Sequence, residues 1–385
     1  MLYMNSVPLL SIVVPSKNRY EYLNSFVDAF ISCDISHFEL VIQDNSHIQN
    51  AEFAKKLLDC GDIRIKYNYN SEWLSVVDNC DLGVSHANGK YICMIGDDDG
   101  LVFSLVSLAI SEAIKTNADA MIFNKAEYYW PDTKHAVWKD ALAGKVFYKK
   151  YTGAIKEIDV ERELMTVLSK GAATTLGKMP RIYHGIVKKE VLEKLHQRTG
   201  SYFPGPSPDM ANSVGLSLLV KKLIEIDLPA VISGHGKKST GGMGGEKLHH
   251  GRIEEQRHLP VKTSELWSEC IPKFWSGATI YAESARLALE RSGSVLKINY
   301  PYLWAFCLVF ETNYTESIVR VVFNRPSEWP KVIYYTILIL SFRAWNYGAN
   351  YFFFSKKKQQ HTFSVRNIQE AQIALHSLNL QIRRS

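Results

Sequence analysis

Between Leu9 and Asn124, short apolar runs alternate with stretches of helical spacing, and that alternation leaves few folds open. Leu9 to Val14 reads as a first strand, stopped by Pro15. Tyr22, Leu23, Phe26, Val27 and Phe30 then recur at the spacing of one helix face. Phe38 to Ile42 reads as a second strand, a helix follows around 51–59, and Ile63 to Tyr67 reads as a third strand. A helix over 73–86, closed by Ala87-Asn88-Gly89, leads to the run Tyr91-Ile92-Cys93-Met94-Ile95. A helix over 103–116 and a strand from Ala120 to Asn124 continue the series. Such a succession predicts an α/β protein with a mostly parallel central sheet and helices on both faces. Ligands of these sheets bind beyond the carboxyl ends of the strands. Lys17, Asp44 and the triplet Asp97-Asp98-Asp99 all fall at such ends.

The triplet carries the first chemical signal. Five consecutive apolar residues precede it, as in a strand buried on both faces. Adjacent carboxylates repel, and each loses hydration in a cleft. A hard divalent cation relieves both costs, because Mg²⁺ or Mn²⁺ commonly sits between one or two carboxylates and a substrate phosphate. A solvated acidic turn is the alternative.

Composition narrows the class. A chain of 385 residues with 46% apolar and 22% charged residues can bury a full core. Its net charge of +6 is too mild to argue for nucleic acid, and no nucleic-acid partner is expected. The six cysteines have neither a CxxC pair nor a metal-ligand spacing, which suits reduced thiols in the cytoplasm. No basic, apolar leader is read at the amino terminus.

Organisation changes near residue 250. Residues 1–250 read as one α/β domain, and 251–385 as a helical C-terminal region, with helical segments at 262–290, 301–322 and 332–354. Before that boundary, Arg181 to Val187 reads as a strand, and Ser207-Pro208-Asp209 opens a helix reaching about Leu223. The 332–354 stretch is apolar and aromatic but contains Arg343, which is expensive at the centre of a bilayer. A helix lying on the membrane is the expectation, with Lys356 to Lys358 reaching anionic headgroups; a buried aromatic helix is the alternative.

Further candidates follow from residue type. Ser233-Gly234-His235-Gly236-Lys237-Lys238-Ser239-Thr240-Gly241-Gly242 is not a Walker A sequence, yet its glycines, lysines and hydroxyls suit a diphosphate. Lys237, Lys238 and Ser239 are its candidate ligands; a solvated loop is the alternative. Trp130 and Tyr202 suit sugar stacking or, more simply, core packing.

The order of these pieces resembles the family 2 glycosyltransferases, with the GT-A fold and the inverting, bacterial surface-polysaccharide type. Ser11 to Arg19 is similar to their first nucleotide-binding strand and loop, and Phe38 to Ser46 to their second. Asn79, Gly83, Ala87, Gly89, Lys90 and Tyr91 match the spaced residues that lead into the metal-binding strand, and Gly96-Asp97-Asp98-Asp99 stands where the family carries its D-x-D motif. The resemblance is good over about residues 9–125 and weaker over 180–245.

It implies a nucleoside-diphosphate sugar donor, with UDP the expected carrier, held by Pro15, Ser16, Lys17, Arg19, Asp44, Asn79, Asp97 and Asp98. It implies Mn²⁺ or Mg²⁺ with Asp99 as main ligand, Asp97 in support and His235 completing the shell. Asp98 would orient water or face solvent. Asp44 would accept from the base or ribose, although Gln43-Asp44 departs from the family's pair of acids. Asp209 would be the general base, although Ser207-Pro208-Asp209 replaces the usual Glu-Asp. The same tripeptide also reads as a helix start with cap, Pro and acid in order. The expected acceptor is a lipid-linked or surface glycan, met at the cytoplasmic face of the inner membrane. A non-catalytic nucleotide-sugar or glycan-binding relative, or a nucleotidyltransferase, is the rival reading.

Overall fold

The computed structural model describes residues 7–134, 138–239, 250–352 and 360–382. Its strands are β1 (Leu10–Ser16), β2 (Phe38–Asp44), β3 (Ile65–Tyr69), β4 (Tyr91–Met94), β5 (Gly100–Leu101), β6 (Ala120–Tyr129), β7 (Lys145–Lys149), β8 (Ile155–Ile158), β9 (Gly185–Lys188), β10 (Leu223–His235) and β11 (Gln360–Ser364). The helices of the first part are α1 (Tyr20–Ile31), α2 (Ala51–Cys60), α3 (Val76–Ser85), α4 (Phe103–Thr116), α5 (Val160–Ser169), α6 (Lys189–Thr199) and α7 (Pro208–Ser217).

The strands form one sheet in the order β11-β7-β6-β9-β4-β1-β2-β3, with β10 running beside β6. The expected α/β architecture is present, and the sheet is mixed. It is parallel through β4-β1-β2-β3, where helices return the chain across the sheet. It turns antiparallel where β9 enters between β4 and β6.

Side-chain alternation divides the interior into two layers. Leu10, Ile12 and Val14 of β1 join Leu23, Phe26 and Phe30 of α1 and Leu105 of α4 on one face. Val13, Val41, Ile92 and Met94 join Val84, Leu192, Leu195 and Leu216 on the other. In β6 the alternation slips. Phe123 and Ala126 both belong to the first layer, and β10 is irregular opposite them, between Ile226 and Val231. The slip turns Lys125 and Glu127 away from that layer.

The second half departs from its periodicity. The helix expected up to Leu223 ends at Ser217, and β10 begins at Leu223, in a run of β-branched Ile224, Ile226, Val231 and Ile232 that pairs with β6. Residues 262–290 hold a helix only from Gly277 to Arg291, started by a Ser276–Thr279 capping box. The 301–322 stretch divides into helices Tyr300–Phe310 and Thr315–Phe323. Around Trp304, Phe274 and Trp275 they build a separate core.

The end of the chain returns to the first domain. β11 pairs antiparallel with β7, and Ile368, Ala371 and Leu375 of the helix Ile368–Ile382 are buried in the layer that contains Leu10 and Leu105. The region beyond 251 is therefore not helical throughout: β11 interrupts it, and the helix Ile368–Ile382 packs into the core of the sheet. Ile368→Ala is expected to lower the unfolding free energy by about 2–5 kcal/mol in urea titration. Ile373→Ala, on the exposed face of the same helix, is expected to change it by no more than about 0.5 kcal/mol.

Candidate active site

The carboxyl ends of β1 and β4 meet at the three aspartates. All three are buried, and each does something different. Asp97 Oδ2 accepts from Ser16 Oγ at 2.8 Å and pairs with Arg19 Nε at 3.0 Å. Its Oδ1 is buried with no hydrogen-bond partner among the described residues. Burial pushes the Asp97 pKa up, and Arg19 and Ser16 offset that only in part. Asn79 supports the same corner, giving Nδ2–H to the Ser16 carbonyl at 3.4 Å.

Asp99 is saturated. Its Oδ2 accepts from the Gly96 amide at 2.7 Å, His184 Nε2 at 2.7 Å and the Tyr183 hydroxyl at 3.2 Å; Oδ1 accepts from the Gly234 amide at 2.8 Å. Burial opposes its charge, but His184 and the two amides outweigh burial and hold the carboxyl below the usual range. Burial lowers the His184 pKa. Its Nδ1 is buried without a partner, which suits a neutral ring donating through Nε2. Both oxygens of Asp99, expected as the main metal ligand, are thus engaged by donors of the protein.

Asp98 is left with the surplus charge. Its Oδ2 accepts only the Gly236 amide at 3.0 Å, while Trp130 Nε1 donates to its main-chain carbonyl at 2.9 Å. Burial, with the charges of Asp99 and Asp97, pushes its pKa up to about 7. The alternation of β10 makes these contacts: the amides of Gly234 and Gly236 point at Asp99 and Asp98 in turn. Gly234 is obligatory, since a Cβ there would stand 1.8 Å from the Asp98 carbonyl oxygen.

The other expected donor residues lie around this centre in different ways. Asp44 is buried; its Oδ2 accepts from Tyr20 at 2.6 Å and Tyr67 at 2.7 Å, and its Oδ1 from the Ser46 amide at 2.8 Å. Lys17 turns away from the aspartates, donating to Asn45 Oδ1 at 2.9 Å with its amine 6.0 Å from the centre of the Trp73 ring. Pro15 is the β1 residue just before Ser16 and is half-buried. His235 is spent on Glu127, with Nε2 at 2.6 Å from Oε2, and stacks on Tyr129 at 4.6 Å. Lys238 pairs with Glu21 at 2.7 Å on the surface, Lys237 is exposed, and Ser239 Oγ donates to the Gly236 carbonyl. Thr240, Gly241, Gly242, His249 and the basic clusters at 356–358 and 383–384 lie outside the described residues. Trp130 and Tyr202 are core residues.

Across the cleft stands α7. Asp209 Oδ1 accepts from Ser207 Oγ at 2.5 Å and the Met210 amide at 2.9 Å, and Oδ2 accepts from Tyr281 at 2.5 Å. Burial and the Asp209 charge push the Tyr281 hydroxyl well above its ordinary pKa, so it stays a donor. Asn212, one turn along α7, accepts the Ile182 amide at 3.1 Å. It ties α7 to the strap that carries Tyr183 and His184, where His184 holds a positive φ of 62°. Tyr281, Lys125 and Glu127 were missed by sequence reasoning. Lys125 and Glu127 alternate with Ala126 and Tyr128 just past the expected strand, whereas nothing in the sequence marks Tyr281.

Residues 11–157 match the family described as Glycosyl transferase family 2. The likeness to this family covers a little over a third of the chain. The GalNAc(5)-diNAcBac-PP-undecaprenol beta-1,3-glucosyltransferase of Campylobacter jejuni is 26% identical over 108 residues, 28% of this chain and 35% of that enzyme. Glycosyltransferase GlyG of Streptococcus pneumoniae is 23% identical over 219 residues, 57% of this chain and 68% of that protein. Among solved structures, S. aureus TarS 1-349 in complex with UDP-GlcNAc is 14% identical, with a TM-score of 0.44 over 61% of this chain and 60% of that one. The match to the Campylobacter enzyme thus spans about a third of its length. The family domain holds the aspartates, while Tyr183, His184, Asp209, His235 and Tyr281 lie beyond it.

A group of three His, Cys, Asp or Glu side chains placed to hold a metal does not occur among the described residues. A cation shared with a diphosphate needs only one or two carboxylates, and the orphaned Asp97 Oδ1 and surplus-charged Asp98 fit that need. The same charge sets a pH test in metal-free protein. Asp98 takes its proton near pH 4 when unfolded and near pH 7 when folded, so the folded state binds more protons in that window. Stability contributed by this group is therefore present below pH 4 and lost as pH rises to 7. The melting-temperature difference between wild type and Asp98→Asn is expected to move against wild type across that window. Mn²⁺ is expected to restore wild type, but not the variant, above pH 7.

Proposed function

We propose that the protein transfers a sugar from a nucleoside-diphosphate donor to an acceptor hydroxyl, in one inverting displacement assisted by Mn²⁺ or Mg²⁺. The observation that carries this reading is the unpartnered Asp97 Oδ1 beside Asp98, whose carboxylate meets one amide among the described residues, at the ends of the parallel strands. Asp97 and Asp98 would hold the cation, which when bound neutralises the departing diphosphate. Arg19 would sit beside the same phosphates, kept charged against burial by the aspartates around it. Asp99 positions both neighbours.

Asp209 would act as the base. The Met210 amide and the Tyr281 hydroxyl aim its carboxylate, which takes the acceptor proton as the new bond to the anomeric carbon forms and the bond to phosphate breaks. The expected donor is a UDP-hexose or UDP-N-acetylhexosamine. In Asp209→Asn, turnover is expected to fall by about 10²–10⁴-fold, with UDP affinity unchanged by calorimetry. The released product is expected to be UDP; pyrophosphate would point to nucleotidyl transfer instead. No thermal response to any nucleotide sugar, with or without Mn²⁺, would count against the whole reading.

A lipid-linked acceptor in surface-polysaccharide assembly is supported by the undecaprenol-linked substrate in the name of the Campylobacter relative. It is also supported by the helix Trp329–Phe352. Val332 and Ile339 bury one seam of that helix, while Ile333, Tyr334, Ile337, Phe342 and Trp345 leave an apolar face open. Arg343 lies over the Phe310 ring at 5.3 Å. Among the described residues no helix is long and apolar enough to cross a membrane, so the helix would lie in the interface. Cosedimentation with vesicles containing anionic lipid is expected for the wild type, and a several-fold loss for the double variant Ile337→Glu, Trp345→Glu. Equal binding by both would remove this helix as the anchor.

A further inference from the structure

Two cations on the α7 side of the cleft have no counterion of their own. Lys125 projects from β6 next to the slip in alternation, and its amine has neither a hydrogen bond nor an ion pair among the described residues. Arg181, just before the strap, is half-buried and donates one N–H to the Gly177 carbonyl at 3.1 Å. The carboxylates that could serve them are already engaged: Asp99 with His184, Glu127 with His235, and Asp209 with Tyr281 and Ser207. Burial lowers the pKa of both cations, and the Arg181 charge lowers that of Lys125 further. β6 pairs antiparallel with β9 up to Ile122 and Gly185, and the Arg181 carbonyl stands against Gly185, so the segment carrying Arg181 lies beside β6. Asp99, Glu127 and Asp209 act on Lys125 through space, and Asp209 acts on Arg181.

A half-buried cation without a partner is costly, and two that repel are costlier. A neutral sugar hydroxyl relieves neither. An oxyanion relieves both, since Arg presents a planar fork and Lys a point charge. We propose that Lys125 and Arg181 form an oxyanion-binding pair beside Asp209, and that the acceptor carries a phosphate ester or a carboxylate within reach of the hydroxyl that is glycosylated. The substrate class rests on the transferase reading; the anion pair does not.

Phenyl phosphate, benzoate and neutral benzyl alcohol are titrated into the full chain by calorimetry, after UDP binding has been read and the protein saturated with UDP. Wild type is expected to bind at least one of the two anions and not the alcohol. Lys125→Met and Arg181→Met are each expected to weaken that anion at least tenfold with UDP affinity unchanged, and Lys125→Arg is expected to retain it. Binding of phenyl phosphate alone assigns a phosphate ester, and binding of benzoate alone a carboxylate. Lys125→Met also removes an unpaired buried charge, so its melting temperature without anion is expected to hold or rise, which keeps the test readable if Arg181→Met fails to fold. The proposal falls if neither anion binds, if both Met variants bind as wild type does, or if phenyl phosphate competes with UDP, since the pair would then belong to the donor pocket. Loss of UDP binding with anion binding intact would unseat the transferase reading and leave the anion pair standing.

Discussion

The Asp99 carboxylate is the knot on which the cleft depends. A buried charge survives only when its lone pairs are met, and this one is met by two amides, an imidazole and a phenol. The donors come from three places far apart in the chain: the β4 end, the β10 end and the strap before β9. One carboxylate thereby fixes where the second half of the domain sits against the first. Loss of any donor would leave the rest of the group buried and unmatched, so the arrangement has little room to relax.

That knot explains the division among three adjacent acids. Asp99 has its lone pairs met from within the protein. Asp97 is half neutralised, by Arg19 and Ser16 on one oxygen only. Asp98 has a single amide and two negative neighbours. The same gradient runs across the cleft. Asp209 is held by uncharged donors, while Lys125 and Arg181 are cations without dedicated partners among the described residues. Charge that the protein leaves unbalanced is charge available to a substrate.

Much of the first 125 residues was legible, because parallel strands buried on both faces are continuous apolar runs and their helices show one-sided spacing. The expected strand over Ala120 to Asn124 proved too short, since the slip between Phe123 and Ala126 breaks the period on which the expectation relied. The helix expected up to Leu223 stopped at Ser217, because the β-branched run behind it finds β6 as a partner. At the site, Ser16, Arg19, Asn79 and Asp97 to Asp99 are brought together. His235, Lys17 and Lys238 are drawn off by Glu127, Asn45 and Glu21, partners whose nearness no local pattern announces.

By itself the sequence determined the succession of strands and helices over the first 125 residues, the acids at the strand ends and the helix start that presents Asp209. These depend on local periodicity and on residue type, which a chain carries wherever it folds. Tertiary structure alone decided which aspartate has its lone pairs met by the protein, that Tyr281 from a later helix bonds Asp209, and that residues 360–382 close the first core. Each of these depends on what lies opposite a group in space, and burial and unpaired charge exist only once distant segments have met.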